Sequence, residues 1–171
     1  MLKNVVIGVL LLAVPQLYSQ TPVAAPLQIT EILRFTLDET PEQLARGMGQ
    51  PVMVNDQEKA FQTWYYQTDV LDKHEHSHIL LLRRPDNKLL SVTRNYHYPV
   101  NAEALFPAGK STIHHWPDAK HPQLSVQVRE YEGDRVLIAM GVAKPGQSTT
   151  QLIMIRRSAL PTFFPWLRLG S

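Results

Sequence analysis

The segment of residues 36–66 constrains the fold of this chain more than any other part of its sequence. Thr40 can cap a helix, and Gln43, three residues later, can complete a capping box. Pro51 forbids the helix from continuing, and residues 61–67, Phe-Gln-Thr-Trp-Tyr-Tyr-Gln, predict an aromatic β-strand. Because so short a helix is stable only when it packs on another element, the segment predicts a helix lying on a sheet.

Further strand signals follow along the chain. Residues 78–84 form an apolar run, residues 88–98 alternate, and the Pro-Asp-Asn turn between them predicts a hairpin. The second half repeats this plan more loosely: we expect a short helix at 101–105, strands at 124–128, 135–142 and 150–157, and an apolar tail at 158–167 packed on the sheet as a short helix or coil. The fold class predicted is therefore α+β, with short helices packed on an antiparallel sheet. The favoured arrangement is two tandem helix-plus-three-strand units, at about 28–98 and 99–168.

Composition limits the classes of function. A chain of 171 residues with 44% hydrophobic and 19% charged residues is typical of one globular domain. Lysine and arginine number 17 against 15 acidic residues, a balance that gives no reason to expect a nucleic acid partner. The chain has no cysteine, which excludes disulfides, thiol catalysis and cysteine-bound metal.

The N-terminus has the pattern of a secretory signal peptide. Lys3 precedes an apolar run at residues 5–14, Pro15 ends it, and Ser19 offers a small residue at a cleavage point. The run is shorter than the roughly 20 residues that a membrane span requires, although a retained anchor stays open as an alternative. We expect a signal peptide at 1–19, a linker at 20–27 and a single domain at 28–168, without a stable membrane span after cleavage. The predicted location is periplasmic or secreted.

The helix, glycine-proline turn and aromatic strand resemble the small periplasmic domains of the BamE-type outer-membrane assembly lipoproteins and of the β-lactamase-inhibitor-protein-like fold. The residues that carry the resemblance are Thr40, Gln43, Leu44, Gly49, Pro51, Trp64 and Tyr66. The resemblance implies a non-enzymatic binding module in the bacterial cell envelope, whose sheet presents one face to a protein partner. The chain departs from the lipoproteins because it has no cysteine to carry a lipid anchor.

A histidine-rich segment supports an alternative function. The sequence from His74 through Glu75, His76 and Ser77 to His78 spells H-E-x-x-H, which on a helix would place two histidines on zinc with the glutamate as general base. In an extended chain, the three histidines would instead project from one face and could bind zinc or copper at the surface. The remaining interpretation is that these histidines lie in water at the start of a strand and bind no metal. The alternative to a binding module is thus a metal-binding protein or a zinc-dependent hydrolase.

Two aromatic residues are the candidates for partner binding. Tyr65 lies between Trp64 and Tyr66, so it should face away from the core that Trp64 enters. Trp116 follows the pair His114-His115, where the sequence predicts a loop with a half-buried tryptophan. A second metal-ligand set assembled from these histidines with His97 and His121 is a further possibility that the spacing does not require. We predict no catalytic residues and no obligatory cofactor.

Overall fold

The computed structural model describes residues 32–67, 76–84, 86–106, 109–117 and 125–170. Its helical elements are a 3₁₀ helix at Ile32–Arg34, α1 (Pro41–Met48), α2 (Ala102–Leu105), a second 3₁₀ helix at Arg157–Ala159, and α3 (Leu160–Phe163). Its strands are β1 (Met53–Asn55), β2 (Phe61–Gln67), β3 (His76–Arg83), β4 (Lys88–Asn101), β5 (Thr112–His115), β6 (Ser125–Tyr131), β7 (Arg135–Met140) and β8 (Ser148–Arg156).

All eight strands join one antiparallel sheet in the order β1-β2-β3-β4-β8-β7-β6-β5. The sheet therefore consists of two four-stranded meanders, β1–β4 and β5–β8, whose last strands pair with each other at the centre. The α+β prediction is confirmed, and so is the hairpin between β3 and β4. The expectation of three strands in each half is wrong, because β1 and β5 are short edge strands with too few residues to show an alternating pattern.

Helix α1 forms where its local signals predict. The Thr40 side chain accepts a hydrogen bond from the Gln43 backbone, and the Gln43 side chain accepts one from the Thr40 backbone, which completes the capping box. Gly49 ends the helix with a φ of 78°, a conformation that favours glycine. The Tyr66 hydroxyl donates to the Gly49 carbonyl at 3.1 Å, so the end of the helix is tied to β2.

The sheet has two faces, which are covered differently. On the first face, α1 and the 3₁₀ helix at 32–34 pack over the apolar side chains of the sheet and form the larger core. The central residues of that core are Leu44, Met48, Trp64, Leu80, Val92, Leu137, Leu152 and Met154. We call this face the covered face.

The second face is covered in part by the C-terminal segment, residues 157–170. Its apolar side chains bury those of β6, β7 and β8 and one of β4, in a core formed by Leu90, Val126, Val128, Val136, Ile138, Ile155, Ala159, Leu160, Phe164 and Leu167. The segment also reaches β2 at one point, where the Phe163 and Phe61 rings lie 5.3 Å apart. The expectation that the apolar tail packs on the sheet is confirmed.

Among the described residues, no helix is long and apolar enough to cross a membrane. The segments expected to be a signal peptide and a linker, 1–19 and 20–27, lie outside the described residues.

Candidate interaction surface

One row of side chains crosses the whole second face of the sheet. The register of the seven strand pairs places eight residues opposite one another in turn, one from each strand. In the order of the strands, they are Met53, Tyr65, Ile79, Thr93, Ile153, Ile138, Val128 and Thr112. Directly opposed residues project to the same side of a sheet. The row therefore allows the two halves of the second face to be compared at equivalent positions.

The exposure of the row changes at its middle. Ile138 on β7 and Val128 on β6 are fully buried, at 0% and 1% exposure, because the C-terminal segment lies over them. Met53 on β1 is 54% exposed, and Tyr65 and Ile79 are partly exposed. The half of this face that β1–β4 form is therefore apolar but only partly covered, since Leu90 on β4 is buried in the core under the C-terminal segment while Met53, Tyr65 and Ile79 stay exposed or partly exposed.

We define the open patch as Met53, Tyr65, Ile79, Leu81 and Ile153. Four of these side chains are partly exposed and Met53 is exposed, and none of them carries a charge. An apolar, partly aromatic surface of this kind on a sheet marks a site for another molecule more often than a scattered exposed leucine does.

A groove runs along the boundary between the open patch and the C-terminal segment. The cavity there has a volume of about 250 Å³. Ile79, Leu81 and Ile153 form its floor, and Phe163 and Phe164 form its wall. The remaining lining residues include Ser91 and Thr93, whose hydroxyls are its polar groups. The groove suits the insertion of an apolar side chain from another molecule.

The edge strand β1 continues the open patch to the rim of the sheet. Its residues pair with β2 on one side, and no described strand lies on the other side. Val52, Met53 and Val54 are exposed at 67%, 54% and 44%. A free edge beside an apolar patch offers both backbone hydrogen bonds and side-chain contacts to an added strand.

A polar rim borders the open patch on the side of residues 77 and 95. The Asn95 amide donates to the Ser77 hydroxyl at 3.3 Å, and the Gln151 amide donates to the Asn95 side-chain oxygen at 2.8 Å. These residues occupy the neighbouring row of the same face. An apolar centre with a hydrogen-bonded polar rim is the usual composition of a protein interface.

The structure separates the two aromatic residues proposed from the sequence. Tyr65 lies in the open patch on β2. Trp116 follows β5 at the opposite edge of the sheet, half-buried, with its ring 4.9 Å from that of Trp166 in the C-terminal segment. Trp116 therefore does not contribute to the open patch.

The histidine segment is not the helix that a zinc hydrolase needs. Strand β3 begins at His76, while His74 and Glu75 lie outside the described residues, as does the side chain of His76. His78 is 1% exposed on the covered face, with its ring 6.0 Å from that of Phe35. Residues 76–78 therefore form a strand and not the helix that the hydrolase alternative needs, and His78 is buried and does not lie at the surface.

Metal binding by the three histidines stays a prediction. Within the described ranges, no group of three or more histidine, cysteine, aspartate or glutamate residues is placed to hold a metal ion. His74 and the side chain of His76 fall outside those ranges, so the set proposed for zinc or copper has only His78 described.

The described members of the second histidine set lie apart from one another. His114 lies on the edge strand β5, with its Nε2 2.9 Å from the Thr112 hydroxyl, and burial together with neighbouring His115 lowers its pKa. His97 is exposed on β4, which β8, β7 and β6 separate from β5. His121 lies outside the described residues.

Sequence reasoning found Tyr65 but missed the other members of the open patch. Ile79 and Leu81 belong to an uninterrupted apolar run, in which no alternation shows which side chains face the core. Met53 belongs to a strand of three residues. Only the pairing of the run with β2 assigns its faces, since Tyr65 and Ile79 are directly opposed.

Comparison with known proteins adds little to this geometry. No protein-family model matches the chain, and no curated protein matches its sequence. A cysteine-rich secretory protein from Staphylococcus aureus matches in structure with a TM-score of 0.46 and 11% identity, over 79% of this chain and 48% of that one. An extracellular protein containing an SCP domain from Bacillus anthracis matches with a TM-score of 0.49 and 12% identity, over 78% and 49%. The chain thus spans about half the length of each of these two structures.

The resemblance to BamE-type and β-lactamase-inhibitor-protein-like domains is wrong. The matching structures above are described as a cysteine-rich secretory protein and an SCP-domain protein, and not as BamE-type or β-lactamase-inhibitor-protein-like domains. The physical reason lies in the short range of the motif: a capping box, a glycine at the helix end and a following strand are local solutions that unrelated folds share.

Proposed function

We propose that the protein is an exported, non-enzymatic interaction module of the bacterial cell envelope, and that its open patch binds a protein partner. The observation that carries this proposal is the change in exposure along the single row from Ile138 to Met53. One half of an apolar face is buried by the chain itself, and the other half retains apolar side chains in contact with water. The proposal that the protein is exported rests on the signal-peptide pattern of residues 1–19.

The occupant that best fits the surface is an extended segment of the partner, added to the sheet beside β1. Three features support this choice: β1 is an edge strand, its side chains are exposed, and the open patch begins at Met53 on that strand. Main-chain hydrogen bonds to β1 would supply affinity. Alternate side chains of the segment would lie over Met53 and Tyr65 and supply specificity.

The strand order also supports the proposal that the chain consists of two tandem units. Each unit would contain one short helix, α1 or α2, followed by a four-stranded meander, and the two meanders meet at the β4–β8 pair. In this arrangement the C-terminal segment covers strands of the second unit and reaches the first unit only in part. The first unit supplies both the free edge β1 and most of the open patch.

Site-specific photo-cross-linking in the producing cell tests the interaction. A photoreactive amino acid replaces Tyr65 at the centre of the open patch, and in a parallel strain it replaces Arg46, which is exposed on α1 over the other face. We expect the probe at position 65, but not the one at position 46, to form an adduct whose cross-linked residues map to one continuous segment of one protein.

A second substitution links the adduct to the edge strand. Met53→Lys places a charge at the start of β1, beside the proposed added segment, and should abolish the adduct from position 65 while leaving the circular dichroism spectrum unchanged. An adduct of twice the mass of the chain would contradict a separate partner, because it would show a second copy in the patch. Equal adducts from positions 65 and 46 would contradict the surface.

A further inference from the structure

A different cavity lies on the covered face, on the opposite side of the sheet from the open patch. It has a volume of about 340 Å³ and opens between two short helical elements. Its walls are apolar and come from Ile32 and Leu33 on one side and from Ala104, Leu105 and Phe106 on the other. Its floor is formed by β4 and β8 through Arg94, Tyr96 and Leu152.

Arg94 is the charged group of this cavity. It lies in the sheet between His78 on β3 and Leu152 on β8. Its guanidinium carbon is 5.0 Å from the centre of the Tyr96 ring, a cation–π contact that orients the group along the cavity floor. The Arg94 Nε is buried and has no hydrogen-bond partner in the structure.

Within the described part of the chain, no carboxylate forms an ion pair with Arg94. Other arginines of the same sheet and its turns do have such partners: Arg83 pairs with Asp86, Arg135 with Glu132, Arg156 with Asp38 and Arg157 with Glu130. A partly buried cation without a counter-charge is unfavourable for folding, since the apolar surroundings replace part of its hydration. Among the described residues, the Tyr96 ring offsets part of this cost for Arg94 and no carboxylate offsets the rest.

We propose that this cavity binds a small amphipathic carboxylate, whose headgroup pairs with Arg94 and whose apolar tail packs between Leu33 and Leu105. A guanidinium presents a planar fork of donors, and a carboxylate matches that fork with two parallel hydrogen bonds. Among the described residues that line the cavity, Arg94 is the only charged one, so the site fits a single negative charge.

The volume and the lining determine the size of the ligand. A cavity of about 340 Å³ is at the small end of the range for ligand pockets. The apolar walls formed by Ile32, Leu33, Leu105 and Phe106 favour a hydrocarbon chain or ring over a sugar or a peptide with polar side chains. A medium-chain fatty acid has both the charge and the length.

Isothermal titration calorimetry with sodium octanoate tests the proposal on the purified protein. Acetate has the same charge without the tail, and 1-octanol has the tail without the charge. We expect saturable binding of one octanoate per chain, and binding of acetate and 1-octanol that is weaker by about tenfold or more. Binding of 1-octanol as tight as that of octanoate would overturn the assignment of Arg94 as the anion site.

Two variants distinguish octanoate binding at Arg94 from nonspecific octanoate binding. Arg94→Met keeps the length of the side chain and removes its charge, and should weaken octanoate binding by about 10- to 100-fold. Arg46→Met is the matched control on the exposed surface of α1 and should leave binding unchanged. Equal octanoate affinity in the Arg94→Met variant and in the unmodified protein would overturn the proposal.

A second variant tests the cavity in case Arg94→Met does not fold. Ala104 lies exposed at the mouth on α2, so Ala104→Trp should obstruct entry without removing a buried side chain. We expect octanoate binding to be lost while the circular dichroism spectrum and the midpoint of thermal unfolding are retained. Unchanged octanoate binding in this variant would show that the ligand does not enter here, and no binding to the unmodified protein would overturn the proposal outright.

Discussion

The two halves of the second sheet face have the same architecture and different cover. Ile138 and Ile79 lie in one row of directly opposed residues, both are isoleucine, and both project from the middle of a strand. Ile138 is fully buried because the C-terminal segment crosses the strands around it, whereas Ile79 is partly exposed. The difference between them arises from what lies above the sheet and not from the strands themselves.

This comparison distinguishes residues that stabilise the fold from residues that remain available for contact. Burial of an isoleucine side chain contributes roughly 1.5–3 kcal/mol, which Ile138 has received in full and the partly exposed Ile79 only in part. Ile79 would receive the remainder on binding. An apolar surface that folding leaves uncovered can thus contribute hydrophobic free energy to the binding of a partner, as the proposed function requires.

Removal of the cover should have the largest effect. Phe164 belongs to the C-terminal segment and is buried in the core between that segment and the sheet, and Phe164→Ala should lower the free energy of unfolding by about 3–5 kcal/mol. Urea denaturation followed by circular dichroism measures this loss. A Pro165→Ala variant, at an exposed position of the same segment, serves as the control and should change stability little. A loss below about 1 kcal/mol for Phe164→Ala would show that the cover is dispensable and would remove the distinction between the halves.

Alkaline titration tests the covered face, which lies on the other side of the sheet from the open patch. Tyr66 is 1% exposed, and burial raises its pKa to about 12. Its neutral form is therefore favoured in the folded state. The stability that this shift represents, about 3 kcal/mol, is fully present below the unfolded pKa near 10 and is lost as the pH rises through 12.

The variant Tyr66→Phe isolates that contribution. At pH 8 it should be less stable by about 1 kcal/mol, because the hydrogen bond to Gly49 is lost. At pH 12 it should be the more stable protein, since it has no phenol to ionise. Urea denaturation at both pH values measures the crossing. Parallel pH curves for the two proteins would contradict the burial of Tyr66 beneath α1.

The smallest effect is expected at the helix cap. Thr40→Ala removes the side-chain oxygen that accepts from the Gln43 backbone, at a cost of about 1 kcal/mol. Thr36→Ala, at an exposed threonine outside the helix, is the control. Thermal unfolding of both variants compares them. If Thr40→Ala and Thr36→Ala cost the same, α1 does not depend on its capping box for its place on the covered face.

Local chemistry made much of the fold predictable. The helix signals at Thr40 and Gln43, the turn before Lys88 and the aromatic alternation of residues 61–67 each act within a few residues, and each predicted its element correctly. Edge strand β1 was not predictable, because three residues show no period. The burial of His78 was not predictable either, since a histidine at the start of an apolar run is compatible with water or with the core.

The candidate site was predictable only in part, for a reason of distance. Tyr65 could be assigned to the outer side of its strand from its neighbours alone. The open patch also needs Ile153, which is almost 90 residues away in sequence, and it needs the path of the C-terminal segment, which covers one half of the face and not the other. No periodicity within a short window contains that information.

The most direct test of the account compares Ile138→Ala with Ile79→Ala by urea denaturation at neutral pH. The two substitutions remove the same atoms from the same row of the sheet. We predict a loss of about 2–5 kcal/mol for Ile138→Ala and of about 1 kcal/mol or less for Ile79→Ala. Equal losses would contradict the account, because they would show that folding already uses the β1–β4 half of this face as fully as the half beneath the C-terminal segment.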